Sequence, residues 1–337
     1  KNTDWEGYMD IISIRTDLAL ESRDFLAETG DTQIEGLVSE EYSSGNIKVT
    51  SISIQTEEAG ARMEKPRGTY VTLELPPIED CEPAERAECS RIICSEIRKM
   101  VSIDAGTKTL VVGLGNHDIT SDALGPKTAS GIIVTRHSFI ILGREDCSDI
   151  SDVSVITPGV MGTTGIETVD MIQGIVEKTK PDLVIAIDAL ASRNVSRITT
   201  TIQMCDTGIS PGAGVGNNRK GINEDTLGVK VLAIGVPTVI NTSSIIYDIV
   251  AEYSKRKDVK NNIMLGPVGD AMRNFSQELN RNPESSRRLI SMLPENMIVT
   301  PGNIDEIISG FASVLSGGIN LALHPGLSLE DISNYIN

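Results

Sequence analysis

The chain has 337 residues and a formal net charge of −17, with 39% hydrophobic but only 3% aromatic residues. This length allows one large α/β domain or two smaller ones, and a core of Ile, Val, Leu and Ala suits a sheet covered by helices. The excess of acidic groups argues against direct binding of a nucleic-acid backbone, which needs clustered Lys and Arg.

The predicted elements begin with two segments of alternating polarity, 47–55 and 68–75, which form an antiparallel pair. An amphipathic helix follows from Pro83 to Val101. Strands and helices then alternate between residues 110 and 190, which indicates βαβ units. Further strands are predicted at 153–156, 198–204 and 229–234, the last ending at Gly235, and helices at 167–178, 241–253 and 305–316. The expected fold is α/β, a mainly parallel twisted sheet with helices on both faces and a small additional antiparallel element.

Compartment and location follow from three absences in the sequence. The five cysteines are odd in number and form no C-x-x-C pair, which fits a reducing intracellular compartment. The N-terminal residues contain no apolar stretch of the kind found in secretory signals. No uninterrupted apolar run of about 18 residues occurs, so we expect a soluble, cytoplasmic protein.

Two acidic side chains follow buried apolar runs. The run Leu110–Val112 leads into a glycine-rich turn and a loop that carries Asp122, and the run Leu183–Ile187 leads directly into Asp188. Open α/β sheets place ligands beyond such strand ends. Two carboxylates that share a proton have different pKa values, so one can activate water while the other protonates a leaving group. This pattern predicts an aspartic hydrolase without a cofactor; alternatively, Asp122 caps the helix near Gly125 and Asp188 caps a turn.

Other chemistries fit the sequence less well. Asp118 stands where a dinucleotide-binding fingerprint needs its third glycine, and no P-loop or Gly-x-Ser-x-Gly elbow occurs. A metal site remains an alternative, because His117, Asp118, Asp122 and Asp188 could converge on one cation. No H-E-x-x-H or comparable spacing supports it. A third alternative is a non-catalytic acidic protein that binds basic partners.

Several motifs resemble the germination proteases of spore-forming bacteria, and the resemblance covers nearly the whole chain in order. The motifs are Gly113-Leu-Gly-Asn116, Asp122-Ala-Leu-Gly-Pro126, Pro158-Gly-Val-Met-Gly-x-Thr-Gly-Ile-Glu-Thr168, Ala186-Ile-Asp-Ala-Leu-Ala-x-Arg193, Asp206-Thr-Gly-Ile-x-Pro-Gly-x-Gly-Val-Gly-Asn217 and Gly317-Gly-Ile-Asn-x-Ala-Leu-His324. The chain departs from the family pattern at His117, Asp118 and Ser121.

The resemblance implies an endopeptidase that degrades small acid-soluble spore proteins during germination. It also implies a homotetramer in the spore core, a zymogen, and an atypical aspartic mechanism whose two catalytic residues fall on Asp122 and Asp188. The implied fold is that of the hydrogenase maturation proteases. Two glycine-rich loops are expected to supply oxyanion or substrate contacts through Gly159, Gly162, Gly212 and Gly214.

The N-terminal segment Ser13-Ile-Arg-Thr-Asp-Leu-Ala19 resembles the autoprocessing junction of that family, cleaved between Asp17 and Leu18. Residues 1–17 are therefore expected to be a propeptide that occupies the cleft like a substrate. Residues 18–337 are expected to form a single peptidase domain, with a β-rich part at 18–80 and the core at 81–337.

Overall fold

The strands of the described residues form one nine-stranded sheet. The computed structural model describes residues 16–28, 34–104, 106–142, 150–212, 220–242, 244–245 and 297–336. The strands are β1 (Leu37–Ser44), β2 (Ile47–Ile54), β3 (Gly68–Glu74), β4 (Lys108–Gly113), β5 (Asp152–Ile156), β6 (Leu183–Ser192), β7 (Thr201–Cys205), β8 (Lys230–Asn241) and β9 (Ile298–Val299). Their order is β1-β2-β3-β7-β8-β6-β4-β5, and β9 pairs with β8.

The helices of the described residues connect these strands. They are α1 (Ala19–Glu28), α2 (Glu57–Met63), α3 (Pro83–Met100), α4 (Leu124–Ser130), α5 (Arg136–Leu142), α6 (Met161–Thr164), α7 (Thr168–Thr179), α8 (Glu224–Leu227), α9 (Ile304–Leu323) and α10 (Leu329–Ile336), with 3-10 turns at Thr120–Asp122 and Val195–Arg197. Helix α3 begins as predicted, with Pro83 in its first turn and a capping box between Glu82 and Glu85. Most of the predicted helix 241–253 lies outside the described residues.

The centre of the sheet is parallel and covered on both faces. Strands β5, β4, β6 and β8 run parallel to one another. Successive strand residues point to opposite faces: Val111 packs in the same core as α3 and α9, whereas Leu110 and Val112 pack with α7. The predicted fold class is confirmed.

The antiparallel part continues the same sheet. The predicted pair is present as β2 and β3, and β7 joins it to the centre by pairing antiparallel with both β3 and β8. Edge strand β1 pairs with β2 but was not predicted, since its residues are exposed or half-buried and their sequence has no apolar alternation.

Strands β6 and β8 are longer than predicted. The sequence places the end of β8 at Gly235, yet the strand continues to Asn241, through Pro237. The β6–β8 register shifts between Leu190 and Ala191, so that Thr238 is an extra residue on β8. Such a bulge accommodates a proline within a strand, and this is why the two long strands stay paired.

Helix α9 is long and apolar enough to cross a membrane, by length and composition. In this structure 78% of its apolar window is buried. It packs against α3 and α4, and a Cβ on its Gly318 would lie within 2.6 Å of Ile93. The apolar composition of α9 therefore reflects its place in the protein core.

Glycine at position 125 allows α4 to cross the ends of β4 and β6. A Cβ there would lie 2.2 Å from the Leu114 carbonyl oxygen and 2.5 Å from the Ile187 carbonyl oxygen. We therefore expect Gly125→Ala to lower the free energy of unfolding by about 1–3 kcal/mol, measured by urea denaturation.

The matched control is Gly174→Ala in α7, where an added Cβ meets nothing within 4 Å. Because alanine favours helix over glycine, this variant should gain about 0.5–1 kcal/mol. Equal urea midpoints for the Gly125→Ala variant and the wild type would contradict the close approach.

Candidate active site

Asp188 lies in the middle of the sheet. It belongs to β6, where it is 5% exposed, one residue beyond the point at which the neighbouring β4 ends by pairing Gly113 with Ile187. The sequence predicts Asp188 at a strand end; this is wrong, because β6 continues to Ser192 through its pairing with β8. The turn-capping alternative for Asp188 is therefore wrong as well.

Asp122 is positioned by a tight turn next to β4. The backbone N–H of Asn116 donates to Asp122 Oδ2 at 2.7 Å. Gly115 has a φ of 105°, and a Cβ on it would lie 2.1 Å from the Asp122 carbonyl oxygen, so only glycine fits there. The Thr238 hydroxyl at the β8 bulge donates to the Ser121 carbonyl at 2.7 Å. The N-cap residue of α4 is Ala123, so Asp122 does not stand at the N-cap position that the alternative prediction gave it.

The two predicted aspartates come together electrostatically. Burial raises the pKa of Asp188 well above its ordinary value, and the nearby charges of Asp122 and then Asp17 raise it further, against an opposing hydrogen bond from the Ala189 N–H. A carboxyl group in this setting holds a proton at a pH where exposed aspartates are ionised. The structure thus brings Asp122, Asp188 and Asp17 into one acidic cluster.

The junction residues lie along β6 and β7. The Asp17 N–H donates to the Ala191 carbonyl at 3.2 Å, and the Ala191 N–H donates to the Asp17 carboxylate at 2.9 Å. The side-chain amide of Gln203 on β7 donates to the Asp17 carbonyl at 2.8 Å and accepts from the Ala19 N–H at 2.6 Å. Leu18, between them, is fully buried.

Three residues near the junction belong to no sequence motif that indicates a functional role. Gln203 is one; the second is Lys65, whose ammonium donates to the Thr16 carbonyl at 2.7 Å. The third is Glu21, 4% exposed. Its carboxylate accepts from the Arg193 and Asn194 N–H groups, each at 2.9 Å, and so ties α1 to the loop that follows β6.

His117 and Asp118, the other two residues of the predicted metal site, do not form a metal-binding arrangement. The side chains of His117 and Asp118 are 75% and 90% exposed, with 3.8 Å between Nδ1 and Oδ1. Within the part of the chain that the structure describes, no group of three or more His, Cys, Asp or Glu side chains could hold a metal ion. This geometry adds no support to the metal alternative.

The oxyanion or substrate contacts expected from the two glycine-rich loops stay a prediction. Gly159 and Gly212 have φ angles of 72° and 74°, a conformation that favours glycine. Gly162 lies in the short helix α6, and Gly214 lies outside the described residues.

Cysteine chemistry has little support in the described residues. Cys81, Cys89, Cys94 and Cys205 are buried free thiols. Burial raises the pKa of Cys89 to about 11, and a thiol becomes a good nucleophile only when its pKa is lowered. These thiols are packing residues.

We expect Asp188→Asn to raise the melting temperature at pH 7. The pKa of Asp188 is raised in the folded state, so the native protein binds this proton more tightly than the unfolded chain does. The stability from the protonated form is fully present below the unfolded pKa of about 3.9 and is lost as pH rises through the folded pKa. Asparagine is neutral throughout, so the difference between variant and wild type should vanish near pH 4.

Thermal melts of both proteins between pH 4 and 8 measure this difference. Asp118→Asn serves as the control, because its side chain is 90% exposed and its replacement should leave the melting temperature unchanged at every pH. Parallel pH profiles for Asp188→Asn and the wild type would show that Asp188 is not the buried acid described above.

Comparison with known proteins agrees with the sequence motifs. The family model described as "Germination protease" matches residues 14–262. A germination protease of Clostridium tetani is 40% identical over 331 residues, covering 97% of this chain and 100% of that protein. One from Bacillus pumilus is 38% identical over 359 residues, covering 96% of each chain.

A solved structure also matches, the [NiFe] hydrogenase maturation protease HycI from Thermococcus kodakarensis KOD1. It is 18% identical with a TM-score of 0.27, and the match covers 43% of this chain and 91% of that one. The family match spans most of the chain, and the relatives are matched along nearly their whole length. This chain belongs to the germination protease family and is a peptidase.

Proposed function

We propose that this peptidase is an atypical aspartic endopeptidase that begins the degradation of small acid-soluble spore proteins during germination. The observation that carries the aspartic mechanism is the Asp188 carboxyl group, buried in the sheet and raised in pKa by burial and by Asp122. A neutral and an ionised carboxyl group side by side can hydrolyse a peptide bond without a cofactor.

The environments of the two aspartates favour different roles. The buried Asp188 holds the shared proton, and the more accessible Asp122, which accepts the Asn116 N–H, is the ionised partner. Asp122 takes a proton from water as the hydroxyl oxygen adds to the carbonyl carbon. Asp188 then gives its proton to the departing nitrogen, and the C–N bond breaks. The pair titrates as a unit, so these roles describe the dominant protonation state.

The chain is proposed to be a zymogen with a propeptide at 1–17 and a single peptidase domain at 18–337. Autoprocessing would cleave the bond between Asp17 and Leu18. Support comes from the position of Asp17, which is hydrogen-bonded to Ala191 of β6 and adds its charge to the environment of Asp188. Acidification would relieve the repulsion among these carboxylates and is a reasonable trigger for processing.

The assembly and location follow from family membership. We propose a homotetramer in the cytoplasm of the spore core, acting on the small acid-soluble proteins that coat spore DNA without binding the nucleic acid itself. The net charge of −17 supports the last point, since it disfavours contact with a phosphate backbone.

Asp122→Asn and Asp188→Asn should each reduce cleavage of a small acid-soluble spore protein at least about 10⁴-fold, as expected when half of a catalytic pair is lost. Cleavage is measured as new N-termini by mass spectrometry, with size-exclusion chromatography to verify the assembly. Asp118→Asn is the matched control and should cleave at the wild-type rate. Near-normal activity in either dyad variant would rule out the aspartic mechanism.

The same assay separates the two alternatives. A metallopeptidase using His117 and Asp118 would lose activity in Asp118→Asn and on incubation with a chelator. A non-catalytic acidic binding protein would associate with the spore protein and generate no new N-termini.

A further inference from the structure

Gln203 contacts the peptide backbone on both sides of the bond between Asp17 and Leu18. It is 6% exposed and lies on β7 opposite Gly235. Its Nε2 donates to the Asp17 carbonyl oxygen at 2.8 Å, and its Oε1 accepts from the Ala19 N–H at 2.6 Å. A primary amide offers a donor and an acceptor in one plane, like a peptide group. Gln203 thus holds main-chain atoms, whatever the side chains are.

Lys65 places a positive charge beside the residue that precedes this bond. Its ammonium donates to the Thr16 carbonyl at 2.7 Å. Burial lowers the pKa of Lys65, and the charge of Asp17 is the largest influence that opposes the lowering. The Asp17 carboxylate also accepts the Ala191 N–H at 2.9 Å. The position before the bond is therefore built for a negatively charged side chain.

These groups surround one cavity. It has a volume of about 230 Å³, and Asp17, Lys65, Tyr70, Leu190 and Gln203 are among the residues that line it. Leu18, the residue after Asp17, is fully buried. If residues 1–17 leave, Lys65 and the Ala191 N–H lose the carboxylate that they face, and an acidic side chain of another chain can take its place.

We infer that Gln203 and Lys65 recognise the substrate. Gln203 holds the backbone across the cleaved bond and donates to the carbonyl oxygen that becomes the oxyanion. Lys65 selects an acidic residue immediately before the bond. The inference rests on the proposed function, because it takes the Asp17–Leu18 bond as a cleaved one.

The role of Gln203 in the reaction is that of an electrostatic donor. When hydroxyl adds to the carbonyl carbon, negative charge develops on the Asp17 carbonyl oxygen, to which the Gln203 N–H is already bonded. The hydrogen bond from such a donor strengthens as the charge grows, and removing the donor lowers the reaction rate about 10²–10³-fold. Gln203 neither gives nor takes a proton, so the proton transfers remain with the aspartates.

The first test follows autoprocessing of the full chain, measured as the rate at which the Leu18 N-terminus appears by intact mass. In Gln203→Leu protein that still unfolds cooperatively on heating, processing should be about 10²–10³-fold slower. Gln55→Leu is the control, because Gln55 is an exposed glutamine, and should process at the wild-type rate. Processing of a folded Gln203→Leu protein at the wild-type rate would overturn the assignment.

Gln203→Glu separates a donor role from a structural one and covers the case in which Gln203→Leu does not fold. An ionised Glu keeps the acceptor but loses the donor, whereas a protonated Glu can donate again. The processing rate of Gln203→Glu, divided by that of the wild type at the same pH, should therefore rise as pH falls toward about 4. This ratio cancels titrations shared with the wild type, including those of Asp17, Lys65 and Cys205 in the same cavity. A ratio that is independent of pH would mean that Gln203 only supports the fold.

A double-mutant cycle tests Lys65. Lys65→Met should slow processing roughly tenfold or more, since it removes the charge facing Asp17, and Lys178→Met at an exposed position should not. If Lys65 acts through the carboxylate, Lys65→Met in an Asp17→Asn background should have little further effect. Additive losses would overturn this part of the inference.

Failure of the proposed function gives a different result. In that case the wild type would yield no Leu18 N-terminus, or Asp188→Asn would still yield one. A wild type that processes, a dead Asp188→Asn and a fully active Gln203→Leu would leave the proposed function intact and overturn only the inference.

Discussion

The site depends on one carboxyl group that water cannot solvate. Asp188 is 5% exposed, and it lies on β6 one residue beyond the end of the neighbouring strand β4. Burying an ionised carboxylate there would be costly, and a second acid at Asp122 increases that cost. These two effects favour the protonated form of Asp188. The surrounding backbone is closely packed, because the glycines at 115 and 125 leave no room for side chains between the turn, α4 and the two strands.

Much of this arrangement could be predicted from local sequence. Buried parallel strands leave continuous apolar runs, so the runs ending at Val112 and Ile187 indicated the right strands. The acids that follow these runs are two of those that the structure brings into one acidic cluster. The alternation of strands and helices predicted a mainly parallel sheet. The lengths of β6 and β8 could not be read in the same way, because Gly235 and Pro237 break strands by local preference. A bulge and pairing with distant residues overrule that preference.

The residues that surround the junction were beyond local prediction for a different reason. Gln203 lies 184 positions from Ala19, and Glu21 lies 172 from Arg193. Each is an ordinary polar residue in its own segment, a strand and a helix, and only the folded chain gives it a role. The same holds for Lys65, which precedes a proline in what reads as a simple loop. Sequence alone could place the acids but not the groups that face the peptide.

Helix α9 has a consequence for folding during synthesis. It covers the face of the sheet formed by Val111, Ile185 and Ile234, yet it follows all nine described strands in the chain. Chains emerge from the ribosome at about 5–20 residues per second, so this apolar face lies open for several seconds after its strands have emerged. This face of the parallel centre can be covered only late in translation. An N-terminal fragment that lacks residues 304–323 exposes a broad apolar surface, to which chaperones can bind.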